Sequence, residues 1–286
     1  MGLVSFLSCF FSILFSLLCL SSTNLLNIWL FLELSVLSVI PCFFGNYLYI
    51  NYYKGLLYYL LLSGISSGLI FSGFLLINEG GSFISFVGFL VKFCLFPVGF
   101  WLYIVGNSSS WVVIWLVSCC SKIFTPMVNL IFSQEFFYLT QMLCILTLLF
   151  SSLYFWFGGS SLRLIWINMS ISSSCVVFFL FLYSCNILSY ILLIYYLIWS
   201  SICVYNLSNS QHFNNTFSSG LSIFILYSIP FSLSFFYKML GVCALVNSPA
   251  SWALILSFFI YGISEQYYLF KSWGFNWSVQ DGNLVY

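Results

Sequence analysis

The sequence predicts an all-α, polytopic transmembrane bundle of about ten helices, eleven at most, forming one domain over residues 1–286. Three observations predict it. The chain is 63% hydrophobic and only 4% charged, where soluble domains carry about 25% charged residues, so it cannot cover a surface that faces water. A spanning helix with its short loop takes about 27 residues; division of the length gives ten or eleven spans and leaves nothing for a soluble domain. Ser/Asn/Gly-rich breaks, such as Asn107-Ser108-Ser109 and Gly158-Gly159-Ser160, separate the apolar runs.

Taken in order, the first segment covers 3–21. It lacks the basic stretch that opens a signal peptide, and its Ser-rich end leads straight into another apolar run, so it reads as a retained helix. Segments 26–50 and 55–78 follow. Segment 82–105 holds Lys92 and Pro97, and 110–132 holds Lys122 and Pro126. After 136–157, segment 163–183 opens on Arg163, the one arginine, and 186–206 leads into the longest loop, 208–216, with the one histidine, His212. Segment 218–246 carries Pro230 and Lys238, and 250–270 is the tenth. Residues 272–286 are too few and too polar for an eleventh span.

Alternating the loops across the membrane puts Lys54, Arg163, His212 and Lys271 on the side of the N-terminus. Glu79 and Glu135 fall on the other side, and Asp281 alone is out of pattern. Cations prefer the side of insertion, so both termini are expected on the cytoplasmic or matrix side. A wrong count would have scattered the cations.

Four ionisable residues fall inside apolar runs: Glu33, Lys92, Lys122 and Lys238. Placing such a group near the bilayer centre costs about 2.5–3.5 kcal/mol. Lys92 and Lys122 lie too deep to snorkel easily, and Glu265 reads as an interfacial charge near a helix end. Four of the five prolines, Pro41, Pro97, Pro126 and Pro230, share the segments of the four buried charges. Proline removes an intrahelical hydrogen bond and frees a carbonyl, which membranes tolerate where the backbone meets protein or a hydrated cavity. Each is expected to break its helix. A lysine beside such a break can be solvated by internal water and can pass protons. The lysine and proline pairs at Lys92/Pro97 and Lys238/Pro230 also hint at internal symmetry.

Other chemistries lack their residues. The net charge is +1 with no Lys/Arg run, so nucleic acid is not a partner. The 11 cysteines are scattered with no C-x-x-C motif, and read as small apolar side chains rather than disulfides or metal ligands. A membrane cytochrome needs several intrahelical histidines, and one histidine in a loop cannot serve a hydrolase triad. A rotary channel subunit needs a mid-membrane arginine, and Arg163 opens a helix. No cofactor and no metal are expected in this chain, and no aromatic is assigned to a quinone.

Several of these segments resemble a known family. Trp29 to Pro41, W-L-F-L-E-L-S-V-L-S-V-I-P, is similar to W-x-x-L-E-L-N-x-x-S-F-I-P. Lys92 to Trp101, K-F-C-L-F-P-V-G-F-W, resembles K-L-G-x-x-P-F-H-x-W. Ser121-Lys122-Ile123 with Pro126 resembles W-Q-K-I-A-P, Arg163 opens a segment like an L-R-K helix start, and Pro230 to Lys238 matches P-P-L-T-G-F-L-P-K in the spacing of proline, Phe235 and lysine. The family is chain 2 of respiratory NADH–ubiquinone oxidoreductase (complex I) in its mitochondrially encoded form, and the resemblance covers most of 26–241. It departs at Gly99 and Ser173, where the family has histidines, at Leu164, where it has lysine, and at Pro126, one residue late.

The resemblance implies an antiporter-like, proton-translocating subunit of an NADH:ubiquinone reductase, with proline-broken helices and no redox chemistry of its own. Glu33 and Lys92 would form a charged pair, Lys122 a central relay and Lys238 a terminal one. It implies a multi-pass protein of the mitochondrial inner membrane, N-terminus in the matrix, among other complex I membrane subunits including antiporter-like neighbours, and in contact with the lipid bilayer. A free-standing cation/proton antiporter uses the same buried Lys/Glu logic, and a structural spacer is the third reading.

Overall fold

A computed structural model describes residues 3–44, 52–76, 80–132, 136–157, 161–184, 186–212 and 224–282, without the side chains of Tyr52, His212 and 272–282. Glu79, Glu135, the 158–160 break, residues 213–223 and the side chain of Asp281 therefore lie outside the described residues.

The described regular structure is helical throughout. The elements are α1 (Leu3–Ser21), α2 (Leu25–Phe43), α3 (Tyr52–Leu75), α4 (Ser82–Lys92) and α5 (Phe100–Ser108). They continue with α6 (Trp111–Ile131), α7 (Phe137–Phe157), α8 (Leu162–Tyr183), α9 (Ile187–His212), α10 (Leu233–Val246) and α11 (Trp252–Gly282). Among the described residues eight helices are long and apolar enough to cross a membrane, while α4 and α10 are shorter. Joined to α5, α4 completes one broken span; α10 with the helical turn at 224–226 belongs to a second. Eight whole spans and two broken ones give the ten expected segments of a multi-pass membrane protein.

Three expectations about edges change. Residues 208–212, expected in a loop, continue α9 to His212. The helix of segment 26–50 ends at Phe43. Residues 272–282 prolong α11, and no separate eleventh helix occurs among the described residues. A helix already nucleated extends at little cost through residues that would not start one.

α8 is the axis of the bundle, with 94% of its membrane window buried. α5, α6, α7, α9 and α10 pack around it, α1 lies on α2, α3 on α4, and α11 on α7. Beyond Arg163 in its first turn α8 carries no charge, as suits a helix buried on every face. α8 goes further and is rich in serine. Ser170, Ser172 and Ser173 donate to the carbonyls of Ile167, Met169 and Ser170, and Ser174 to that of Ser170. Hydroxyls satisfied within their own helix cost little in the interior, and their small size lets neighbours approach, which is what drives helix association in lipid. Gly73 on α3 shows the same principle: a Cβ there would sit 2.4 Å from the backbone nitrogen of Ser85 on α4. Large apolar side chains such as Phe6, Leu57, Met142, Phe157, Ile198 and Ile263 point outward.

The two broken spans end by related devices. After Lys92, Cys94 takes φ 59°, its N–H bonds to Val91 and that of Leu95 to Leu90. This is a Schellman cap, whose left-handed position usually holds glycine. In the second broken span Phe231, next to Pro230, has φ 70°. Backbone freed there is recovered by side chains from neighbouring helices. Trp199 Nε1 donates to the Ile225 carbonyl at 3.0 Å, Gln266 Oε1 accepts from Ser228 N at 2.9 Å, and Tyr195 Oη donates to the Leu233 carbonyl at 2.8 Å. Ser232 then caps α10 by accepting from Phe235 N at 3.1 Å.

Candidate functional site

Among the described residues Lys122 is the most completely enclosed charge, 1% exposed. Its position follows from an irregular stretch of α6. The helix widens to a π-turn at Leu116–Cys120 and tightens to a 3₁₀ turn at Thr125–Met127. Pro126 has no N–H for the carbonyl four residues back, which is that of Lys122. The Thr125 hydroxyl donates to that carbonyl instead. π-bulges inside helices often mark functional positions, and this one turns Lys122 onto α8. There Nζ donates to the Ser170 carbonyl at 2.9 Å and to Ser173 Oγ at 2.5 Å, and it lies 3.8 Å from the Tyr196 ring centroid. All three partners are neutral. A cation held only by dipoles and a ring face is stabilised without a counter-ion, so it can give up its proton without stranding a carboxylate.

Lys92 is the last residue of α4, where the orphaned carbonyls of a helix C-terminus favour a cation. Its Nζ is buried without a protein hydrogen-bond partner and lies 5.4 Å from the Phe124 ring centroid. Glu33, on α2, lies within electrostatic reach of Lys92, yet no ion pair joins them and Glu33 Oε2 is also buried without a protein partner. Beside them is a cavity of about 50 Å³ lined by Ser35, Ser63, Ser66, Lys92, Ser121 and Phe124 among others. A single water needs roughly 10–15 Å³ of such space, so a short water chain fits between the Lys92 end and the Lys122 stretch of α6.

Lys238, on α10, sits nearly two turns beyond the Ser232 cap. Its Nζ lies 3.2 Å from Glu265 Oε2, an ion pair by distance whose angles fall short of hydrogen-bond geometry. Glu265, expected as an interfacial charge near a helix end, is 2% exposed and so enclosed by the protein rather than open at a surface. The apolar run ends near residue 270, but the helix goes on to Gly282. The one usable signal was charge balance, since Lys238 otherwise lacks an acid within its own segments. Between Lys122 and Lys238 stand Tyr196, whose ring is 5.7 Å from that of Tyr237, and Tyr237 itself, stacked on Trp199 at 4.9 Å.

The prolines divide. Pro97 lies in the gap between α4 and α5, and Pro230 in the gap before α10. Pro126 distorts a span that stays helical. Pro41 breaks nothing: it lies inside the last turn of α2, where the lost hydrogen bond is near a frayed end. Two other expectations also shift. Arg163, counted with the loop charges, is buried against Gln211, Asn107 and the Trp111 ring. Ser173, where the resembled family has histidine, supplies a hydroxyl to Lys122. At Gly99, the other such position, a Cβ would lie 2.4 Å from the Cys94 carbonyl oxygen, so no histidine fits this backbone.

No family model matches the sequence, and no curated protein does. Solved structures share the fold. A chain of the Mrp complex from Dietzia sp. DQ12-45-1b superposes with TM-score 0.76 at 12% identity, over 91% of this chain and 58% of that one. A chain of respiratory complex I from Thermus thermophilus with bound Aureothin gives TM-score 0.76 at 18% identity, over 94% of this chain and 69% of that one. The chain thus spans a little over half of the first and about two thirds of the second, and its fold is the one those membrane complexes contain.

Proposed function

We propose that this chain is an antiporter-like, proton-translocating membrane subunit of respiratory complex I, in the mitochondrial inner membrane with its N-terminus in the matrix. The observation that carries the reading is Lys122, a fully enclosed lysine whose partners are all neutral, set at a distorted turn between two further lysines. Lys92 with Glu33 forms the entry side beside the polar cavity, and Lys238 the far side. Protons pass along Glu33, Lys92, Lys122 and Lys238 through hydrated gaps, driven by NADH oxidation in other subunits. This chain supplies no electron carrier, and other membrane subunits, including antiporter-like ones, are its neighbours. The sequence motifs around Glu33, Lys92, Lys122 and Lys238 support complex I over the alternative, a free-standing cation/proton antiporter. The fold is shared at the same TM-score with a chain of the Mrp complex and a chain of respiratory complex I, and does not choose between the two readings.

Native electrophoresis of gently solubilised mitochondrial membranes separates the two. The proposal expects peptides of this chain in the high-mass band that oxidises NADH. Migration as a monomer or dimer away from that band would leave the free-standing antiporter as the better account.

A further inference from the structure

Glu265 has no part in the axis just described, yet among the described residues it is one of the most deeply enclosed charged groups. Its side chain is 3% exposed and that of its partner Lys238 is 18% exposed. The pair is therefore asymmetric: the carboxylate faces inward, while the stem of the lysine, though not its buried Nζ, reaches the surface. The groups facing Glu265 are Tyr237 beside Lys238, Tyr261 one turn earlier on α11, and Cys203 on α9. Gln266 reaches it through Nε2 at 3.5 Å while holding the backbone of the helix break with Oε1. On the far side of Tyr237 the hydroxyl faces Ser173 without reaching hydrogen-bond geometry, and Ser173 holds Lys122. Lys122, Ser173, Tyr237, Glu265 and Lys238 thus share one polar neighbourhood, with direct contacts at its two ends, Lys122 to Ser173 and Lys238 to Glu265.

We propose that Glu265 is the proton acceptor of the terminal site, forming with Lys238 a carboxylate–ammonium pair that ejects one proton for each one received. A proton arriving from the Lys122 side binds Glu265 Oε2 and makes it a neutral acid. The Coulomb hold on the ammonium of Lys238 is lost, and Nζ, freed from the carboxylate, swings out along its partly exposed stem and releases a proton to water. The neutral acid then passes its proton to the neutral amine, which restores the ion pair. One proton enters, one leaves, and no net charge accumulates in the interior. Burial makes the coupling strong, because an ion pair in a low-dielectric site loses far more on neutralisation of one partner than a surface pair does.

This rests on the proton-translocating reading above, and the test separates the two. Assembled complex carrying Glu265→Gln is compared with Lys122→Met for protons moved per NADH oxidised. The proposal expects Glu265→Gln to lower that ratio as far as Lys122→Met does, with Glu265→Asp recovering part of the loss. Wild-type pumping by Glu265→Gln, with Lys122→Met silent, would overturn this proposal and leave the main reading intact; pumping by both would overturn both. A probe that needs no variant guards against a failure to assemble. A hydrophobic carbodiimide couples to protonated carboxyl groups, and peptide mass spectrometry of the wild-type complex locates it. Labelling of Glu265 that rises during turnover supports the exchange, and absence of label there overturns it.

Discussion

Removing the Ser173 hydroxyl tests the environment of the central lysine without removing the lysine. In Ser173→Ala, Nζ of Lys122 keeps the Ser170 carbonyl and the Tyr196 ring and loses its shortest contact, 2.5 Å. A hydrogen bond to a charged group contributes about 1.5–3 kcal/mol. The ring face, desolvated here, contributes about 2 kcal/mol and remains. If each proton must pass through the ammonium form of Lys122, the barrier rises by the lost hydrogen bond, and the rate falls by about 10- to 150-fold at 1.36 kcal/mol per decade. Helix α8 should survive, since alanine is the best helix former and the hydroxyl otherwise bonds only within the helix. The assay is acidification of sealed inner-membrane vesicles on addition of NADH, with assembled complex and NADH oxidation measured alongside. Ser173→Thr, which keeps the hydroxyl, should pump nearly as the wild type. Equal pumping by the alanine and threonine variants would refute the claim that Lys122 depends on this contact.

Three further substitutions probe the scaffold. Ser232→Ala removes the cap of the Lys238 helix and should cost about 1 kcal/mol, read as a lower thermal midpoint of the purified complex; an unchanged midpoint would argue against the cap. Phe231→Gly should raise stability by about 1 kcal/mol, because a bulky residue at φ 70° is strained where glycine is not, and Phe231 is 78% exposed and packs little. A fall in stability would show that its ring is held by something outside this chain. Gly73→Val should part α3 from α4, at about 1–3 kcal/mol, and reduce assembled complex; tolerance of valine would disprove the close backbone contact.

The segments of the fold were legible because lipid imposes a length and a polarity on every span. Ten apolar runs became eight whole helices and two broken ones, and the ends that moved were those where a helix outlasted its apolar stretch, at His212 and Gly282. The buried lysines were legible for the same reason: a charge inside an apolar run stands out. Their partners were not. Ser173 is one serine among many, and only the π-turn of α6 decides that Lys122 meets it. Glu265 stood close to the end of its apolar run, although its helix continues for more than four further turns. Pro41 read as a break because sequence shows the proline and not its distance from the end of the helix. The separation of Glu33 from Lys92 depends on how α2 and α4 pack, which neither residue's own segment encodes.

The most direct test of proton translocation is the number of protons moved per NADH oxidised by assembled complex carrying Lys122→Met. Methionine keeps most of the volume and apolar stem and cannot hold a proton, so the account predicts normal assembly with pumping through this subunit lost. Normal stoichiometry in the assembled Lys122→Met complex would contradict it.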